Sequence, residues 1–124
     1  MTAPTRAVRR RRLVRGARAE TLAMLFLMLR GFRPLARNWR APGGEIDLVM
    51  ARGRLVIFVE VKARPDLDAA ATAVGWEKRR RLARAIRAWK ARNGWAGEGW
   101  SFRVDAVFLG RGRWPRHVAG VMEV

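Results

Sequence analysis

Apolar residues recur along this chain with two different periods, and the changes between them mark the elements. From Gly16 to Arg30 the stretch "GARAETLAMLFLMLR" is helix-forming, with Gly31 placed as its C-terminal stop. Its apolar residues run nearly all round, which predicts a well-covered helix. "FRPLARNWR" at 32–40 reads as a short first strand at a sheet edge, because Pro34 cannot donate to a ladder. "APGG" then turns the chain into two central strands, residues 43–64, "GGEIDLVMARGRLVIFVEVKAR". "RPDLD" at 64–68 is a loop, and residues 69–92 carry a helical pattern with a break expected near Gly75. Leu82, Ile86 and Trp89 form one stripe of that helix, while Lys78, Arg79, Arg80, Arg81, Arg84, Arg87 and Lys90 cover much of the rest. A glycine-rich loop follows at 93–100. "SFRVDAVFL" at 101–109 alternates as a strand does, and "RHVAGVMEV" supports one more. The order is helix, three strands, helix, one or two strands, with no internal repeat.

The two central strands carry charge where burial of charge is expensive. Between them Gly53-Arg54 suits a two-residue type II′ turn, because glycine tolerates positive φ at the first central position. With that turn Leu48 faces Val59 and Asp47 faces Glu60. Ile46, Leu48 and Met50 then share a face with Leu55, Ile57, Val59 and Val61, and a one-residue slip is forbidden. Glu45, Asp47, Glu60 and Lys62 lie on the other face, which towards the turn carries Val49, Val56 and Phe58. Two opposed carboxylates about 5 Å apart repel by about 3 kcal/mol at an effective dielectric of 20. A divalent cation held by oxygen ligands neutralises such a pair. Lys62 projects to the same side about 7 Å along the strand from Glu60, in reach of a phosphate or an attacking water. The alternative is a salt bridge between Glu45 and Lys62 with arginines screening the other acids, and spacing alone leaves both open.

Composition narrows the chemistry. There is no cysteine, which excludes disulfides and thiolate sites and is compatible with a cytoplasmic location. His117 is the single histidine and reads as a surface side chain, so a carboxylate site points to Mg²⁺ or Mn²⁺ over zinc. The 124 residues, half of them hydrophobic, suffice for one domain, here 13–124, preceded by a basic flexible arm, 1–12. With 27 basic against 10 acidic residues the net charge is +17, which favours nucleic acid as partner. The expected backbone contacts are Arg9, Arg10, Arg11 and Arg12 in the arm, with Arg40, Arg64, Lys78, Arg80 and Arg81. Trp95 and Trp100 are the candidates for stacking on unpaired bases, whereas Trp89 belongs to a core stripe. Export or membrane spanning is disfavoured. The uncharged run Thr21–Leu29 spans only about 14 Å as a helix against about 30 Å of hydrocarbon, and Glu20 and four arginines (30, 33, 37 and 40) flank it.

"GEID" in one strand and "FVEVKAR" in the next resemble the YraN-like family of small bacterial proteins, assigned to the restriction-endonuclease-like, PD-(D/E)XK nuclease superfamily. The resemblance covers most of the chain, through "GARAE", "LARNWRAPGGEIDLV", "AVGWEKRRRLARA" and "FRVDAV". It implies an αβββαβ core, a mixed central sheet flanked by helices. It also implies that Asp47 stands for the signature aspartate, with Ile46 in the proline position, and that Glu60 and Lys62 are the second acid and the lysine. Glu20 resembles the helical glutamate that joins the metal in related archaeal Holliday-junction resolvases, although from the residues alone it is a helix-start charge favoured by the dipole. Glu45 is placed as an outer group of the site or as the partner of Lys62, and Asp105 as a structural salt bridge with an arginine. The function implied is Mg²⁺-dependent endonucleolytic hydrolysis of phosphodiester bonds in branched or otherwise structured DNA, with DNA favoured over RNA and a homodimer suited to a junction. The alternative is a catalytically inactive nucleic-acid-binding protein on a nuclease fold.

Overall fold

The computed structural model describes residues 6–63, 76–93, 99–110 and 112–123, with helical side chains described from Ala17 in the first helix and from Lys78 in the second. The elements are α1 (Arg6–Leu29), β1 (Arg33–Ala41), β2 (Gly44–Arg52), β3 (Leu55–Ala63), α2 (Trp76–Asn93), β4 (Ser101–Leu109) and β5 (Arg116–Met122). The strands form one mixed sheet in the order β1-β2-β3-β4-β5. Only β3 and β4 run parallel, the connection that α2 makes. The expected αβββαβ core is thus present, with β5 as a further edge strand, and Pro34 sits on the opposite edge strand beside a bulge.

Helix α1 begins at Arg6, ten residues ahead of the expected Gly16, and takes in Arg9–Arg12. Arginine and alanine are good helix formers, and Gly16 is the only breaker in the segment. The expected start of α2 and the break near Gly75 lie outside the described residues. At the C-terminus of α1, Gly31 adopts φ 91°. The Gly31 N–H donates to the Met28 carbonyl and the Phe32 N–H to that of Leu27, the paired bonds of a Schellman stop, and Phe32 and Leu27 pack in one cluster.

Alternation along β3 divides the core. Ile57 and Val59 pack with Leu48, Met50 and Val107 under Ala23 and Leu27 of α1. Val56 and Phe58 pack with Val49, Ala51 and Val104 under Leu82, Ala85, Ile86 and Trp89 of α2. A strand buried on both faces needs an unbroken apolar run, which "LVIFV" supplies. From Ala17 onward helix α1 is covered on one side only. Leu22, Leu25, Met28 and Leu29 are exposed, the last by 84%, because an α-helix on a sheet face buries one stripe whatever its other positions carry.

The hairpin register is as expected from the turn, with Leu48 opposite Val59 and Gly53 at φ 59°. One facial assignment is not. Ile46 packs with Leu82, Ala85 and Ile86 on the α2 side, away from Leu48 and Met50. Asn38, opposite Asp47, has a left-handed φ of 47°, and no pair joins the two between Arg37–Leu48 and Trp39–Ile46. That break reverses the alternation, so Arg37 reaches Thr21 on α1 whereas Trp39 packs towards α2.

Asp105 clips β5 to β4 at a second irregularity. Its fully buried carboxylate accepts the Arg103 guanidinium at 2.7 and 2.8 Å, His117 Nε2 at 2.7 Å and the Gly120 N–H at 3.1 Å. The expected arginine salt bridge is present. His117, expected at the surface, is buried against Asp105 and the edge of Phe32 because the carboxylate holds it there. Burial alone would raise the Asp105 pKa, but His117, Arg103 and the Gly120 N–H hold it down at about 2. A folded-state pKa below the unfolded one gives stability that is complete above about pH 4 and lost as pH falls through about 2, here roughly 2 kcal/mol. Asp105→Asn is therefore expected to cost about 2–4 kcal/mol in urea melts at pH 7, with the gap to the parent narrowing towards pH 2.

Candidate active site

The β1–β2 turn, Pro42-Gly43, places proline first and glycine at φ 87° second, as a type II turn requires. Gly44 then lies against α2 so closely that a Cβ there would meet the Arg81 carbonyl oxygen at 2.0 Å. This approach draws the acidic end of β2 under the first turns of α2. The β2–β3 ladder meanwhile stops at Leu48–Val59. Asp47 and Glu60 do not continue it as a directly opposed pair. The Asp47 carboxylate instead accepts the Val61 N–H at 2.8 Å, taking the place of a backbone partner where the strands part.

The parting strands open a cleft of about 1170 Å³. Its walls are Ala19 and Glu20 from α1, Arg40, Ala41 and Gly43 to Glu45 around the β1–β2 turn, Asp47, Glu60 and Lys62 from the sheet, and Lys78, Arg81 and Arg84 from α2. Asp47, Glu60, Lys62, Glu20 and Glu45 thus all face one space, as do Arg40, Lys78 and Arg81. Arg80 is exposed on α2 but does not line the cleft. The side chains of Arg9, Arg10, Arg11, Arg12 and Arg64 lie outside the described residues. Arg84, in the sequence only part of the basic cover of that helix and not an expected backbone contact, also lines the cleft. It follows Lys78 and Arg81 at intervals of three along α2, the spacing of one helical edge.

Charge is distributed unevenly in this cleft. Glu60 is almost fully buried, and two ammonium groups approach its Oε1: Lys62 Nζ at 3.6 Å, itself only 4% exposed, and Lys78 Nζ in direct contact. Burial would lower the Lys78 pKa, but its hydrogen bond to Glu60, its contact with Lys62 and the charges of Glu60 and Asp47 together outweigh this and raise it. Asp47 shows the opposite balance. Burial and then the charge of Glu60 push it up to about 7, the Val61 N–H only partly opposing them. Glu20 is raised too, by burial first, with Arg37 counteracting. Glu45 pairs with Arg40 at 3.5 Å, both well exposed, where the alternative reading had it opposed to Lys62. The reversal at Asn38 and the end of the ladder account for this, since Glu45 and Lys62 are no longer opposed.

The donor set fits a hard divalent cation: carboxylate oxygens from Asp47 and Glu60, with burial and the Glu60 charge raising the Asp47 pKa to about 7, a cost that a bound cation would offset. The sole histidine is committed to Asp105. Among the described residues no three carboxylate or histidine side chains stand together as a preformed cage. Glu60 is turned to Lys78, and Glu20 contributes to the cleft from the α1 wall.

Of the stacking candidates, Trp95 lies outside the described residues, and Trp100 is half-buried against the α2-side core. Trp89 is in that core as expected, and among the described residues Trp114, 82% exposed, is the large aromatic that solvent reaches. Among the described residues no helix is long and apolar enough to cross a membrane.

Residues 19–109, from the cleft wall of α1 to the end of β4, match a family model described as "Uncharacterised protein family UPF0102". A UPF0102 protein of Methylobacterium nodulans is 56% identical over 120 residues, covering 95% of this chain and 92% of its own. Another, of Methylorubrum extorquens, is 57% identical over 110 residues, 89% of this chain and 85% of its own. The span of the match, the extent of these identities and the αβββαβ core agree, and the chain belongs to the UPF0102 family, the YraN-like branch of the restriction-endonuclease-like superfamily.

Proposed function

We propose that this cleft hydrolyses phosphodiester bonds endonucleolytically in branched or otherwise structured DNA, with Mg²⁺ or Mn²⁺ as cofactor. The observation that carries the reading is the opening of the β2–β3 ladder after Leu48–Val59, which turns Asp47, Glu60 and Lys62 into a cleft bordered by arginines. Asp47 and Glu60 would hold the ion, with Glu20 available from α1. A bound divalent ion polarises a phosphoryl oxygen and lowers the pKa of water. Lys62, buried beside Glu60, has the fixed position needed to balance negative charge as it develops on the phosphate. Arg40, Arg81 and Arg84 would hold the sugar-phosphate backbone, contacts that give affinity without reading sequence.

One observation favours a second reading, a nucleic-acid-binding protein without activity. Glu60 is already neutralised by two lysines and does not need a metal to be stable. Against it, Lys78 and the Val61 N–H offset only part of the cost of ionising Asp47, and a surface that only binds phosphate gains nothing from carboxylates facing it.

The deciding experiment incubates the protein with duplex, single-stranded, flap and four-way-junction DNA in Mg²⁺, Mn²⁺ or chelator. The nuclease reading expects cleavage that requires the metal and is most efficient on a structured substrate. Binding with no cleavage of any substrate supports the second reading. In either case the net charge of +17 predicts an affinity that falls steeply with salt, with a log–log slope of several units, and a flat response would exclude nucleic acid as partner.

A further inference from the structure

Lys78 stands apart from the other cations of the cleft. Lys62 is buried on the same strand as Glu60, and Arg40 is on the exposed turn side with Glu45. Lys78 comes from another element, near the start of α2, and its side chain is 48% exposed while its Nζ rests on the 8% exposed Glu60 carboxylate. A flexible four-carbon stem lets an ammonium in such a position leave for solvent, or for a phosphate at the cleft mouth, without disturbing the helix. Asp47, the other acid at the parting of the strands, carries its hydrogen bond from the Val61 N–H and no comparable ion pair among those resolved. The positive charge present is thus placed on the carboxylate that a cation would have to share.

We propose that Lys78 is an exchangeable counterion of Glu60: it holds that carboxylate in the metal-free protein, and a divalent cation binding at Asp47 and Glu60 displaces it. This rests on the metal-site reading above and adds a positioning residue to it. An ammonium and a divalent ion repel each other and compete for one oxygen, so the state that accepts metal is the one in which Lys78 has moved away. The observed metal affinity is then lower than the intrinsic one by the fraction of molecules in that state. The displaced ammonium remains within the cleft wall beside Arg81 and Arg84, the side on which a phosphate would lie.

The test is Mn²⁺ titration calorimetry on the full chain at pH 8 without DNA, comparing the parent with Lys78→Met, Lys78→Arg and Lys90→Met. Lys78→Met keeps the stem and removes the charge. Lys90, further along α2 over the Phe102 ring, controls for loss of one positive charge elsewhere. The expected result is Mn²⁺ binding about tenfold tighter in Lys78→Met, with Lys78→Arg and Lys90→Met within about twofold of the parent. Unchanged or weaker binding by a folded Lys78→Met, as judged by circular dichroism, overturns the proposal while leaving the metal site standing, and so does an equal gain in Lys90→Met. Lys78→Arg supplies the arm that survives if Lys78→Met does not fold: affinity departing from the parent by tenfold although the charge is kept overturns the proposal, and parental affinity supports it. No Mn²⁺ uptake by the parent removes the metal site and the proposal together.

Discussion

Asp47→Asn is expected to make the metal-free protein more stable, by about 2–4 kcal/mol at pH 8. The carboxylate is held near pKa 7, mainly by burial and next by the charge of Glu60. A folded-state pKa above the unfolded value means that the folded chain binds the proton more tightly. The ionised form therefore costs nothing below about pH 4, costs progressively more as pH rises, and costs its full amount above about pH 7, where three pKa units correspond to about 4 kcal/mol. The lower end of the range allows for the partial exposure of Asp47. Asparagine cannot ionise, yet its side-chain oxygen still accepts the Val61 N–H that joins the parted strands. Urea melts in chelator should show parent and variant equally stable at pH 4 and diverging up to pH 7 and above. Adding Mn²⁺ should stabilise the parent and leave the variant unmoved. A residue that weakens its own fold in this way is understood through what it binds.

Lys62→Ala is expected to lower the cleavage rate by about 10²–10³-fold while leaving Mn²⁺ uptake and DNA affinity within a few-fold of the parent. Lys62 is 4% exposed and 3.6 Å from Glu60, so it is fixed before substrate arrives and adds one charge at one place. It is not an oxygen ligand, and Lys78 continues to neutralise Glu60 when it is removed. The separation of effects is the point of the measurement, made by calorimetry, filter binding and single-turnover cleavage on the same preparation. Loss of cleavage together with loss of metal binding would assign Lys62 to holding Glu60 in place, with no direct part in the reaction.

The legible parts of this fold were those decided by local geometry. A two-residue turn with glycine first fixes one register, and the pairing of Leu48 with Val59 followed from Gly53-Arg54 alone. The stripe Leu82, Ile86 and Trp89 reported the buried side of α2 because helical spacing leaves no other arrangement. The strand motifs brought Asp47, Glu60 and Lys62 to one cleft, as expected. What escaped depends on departures from regularity or on contacts between distant elements. The left-handed Asn38 reverses the faces of β1 and β2 between Ile46 and Leu48, and nothing in an alternating pattern announces a residue that breaks it. The end of the ladder replaced an expected Asp47–Glu60 pair by a bond from Val61 to Asp47. Lys78 was expected to meet a nucleic-acid backbone, and its contact with Glu60 was not legible, since only the close approach of Gly44 to Arg81 brings that helix over Glu60. His117 was misplaced for a related reason: its burial depends on Asp105, twelve residues earlier and on another strand. The exposed apolar side of α1 shows that composition reports what a helix is able to bury, whereas the layer it packs against determines what it does bury.

The central claim is that Asp47 and Glu60 together hold a hard cation in the arginine-bordered cleft. The most direct measurement is an anomalous difference map from crystals grown with Mn²⁺. The account predicts one strong peak bonded to a carboxylate oxygen of each of these two residues, with Lys78 moved off Glu60. A cleft without that peak in crystals whose Lys78 still rests on Glu60, or a peak ligated by other residues, would contradict it.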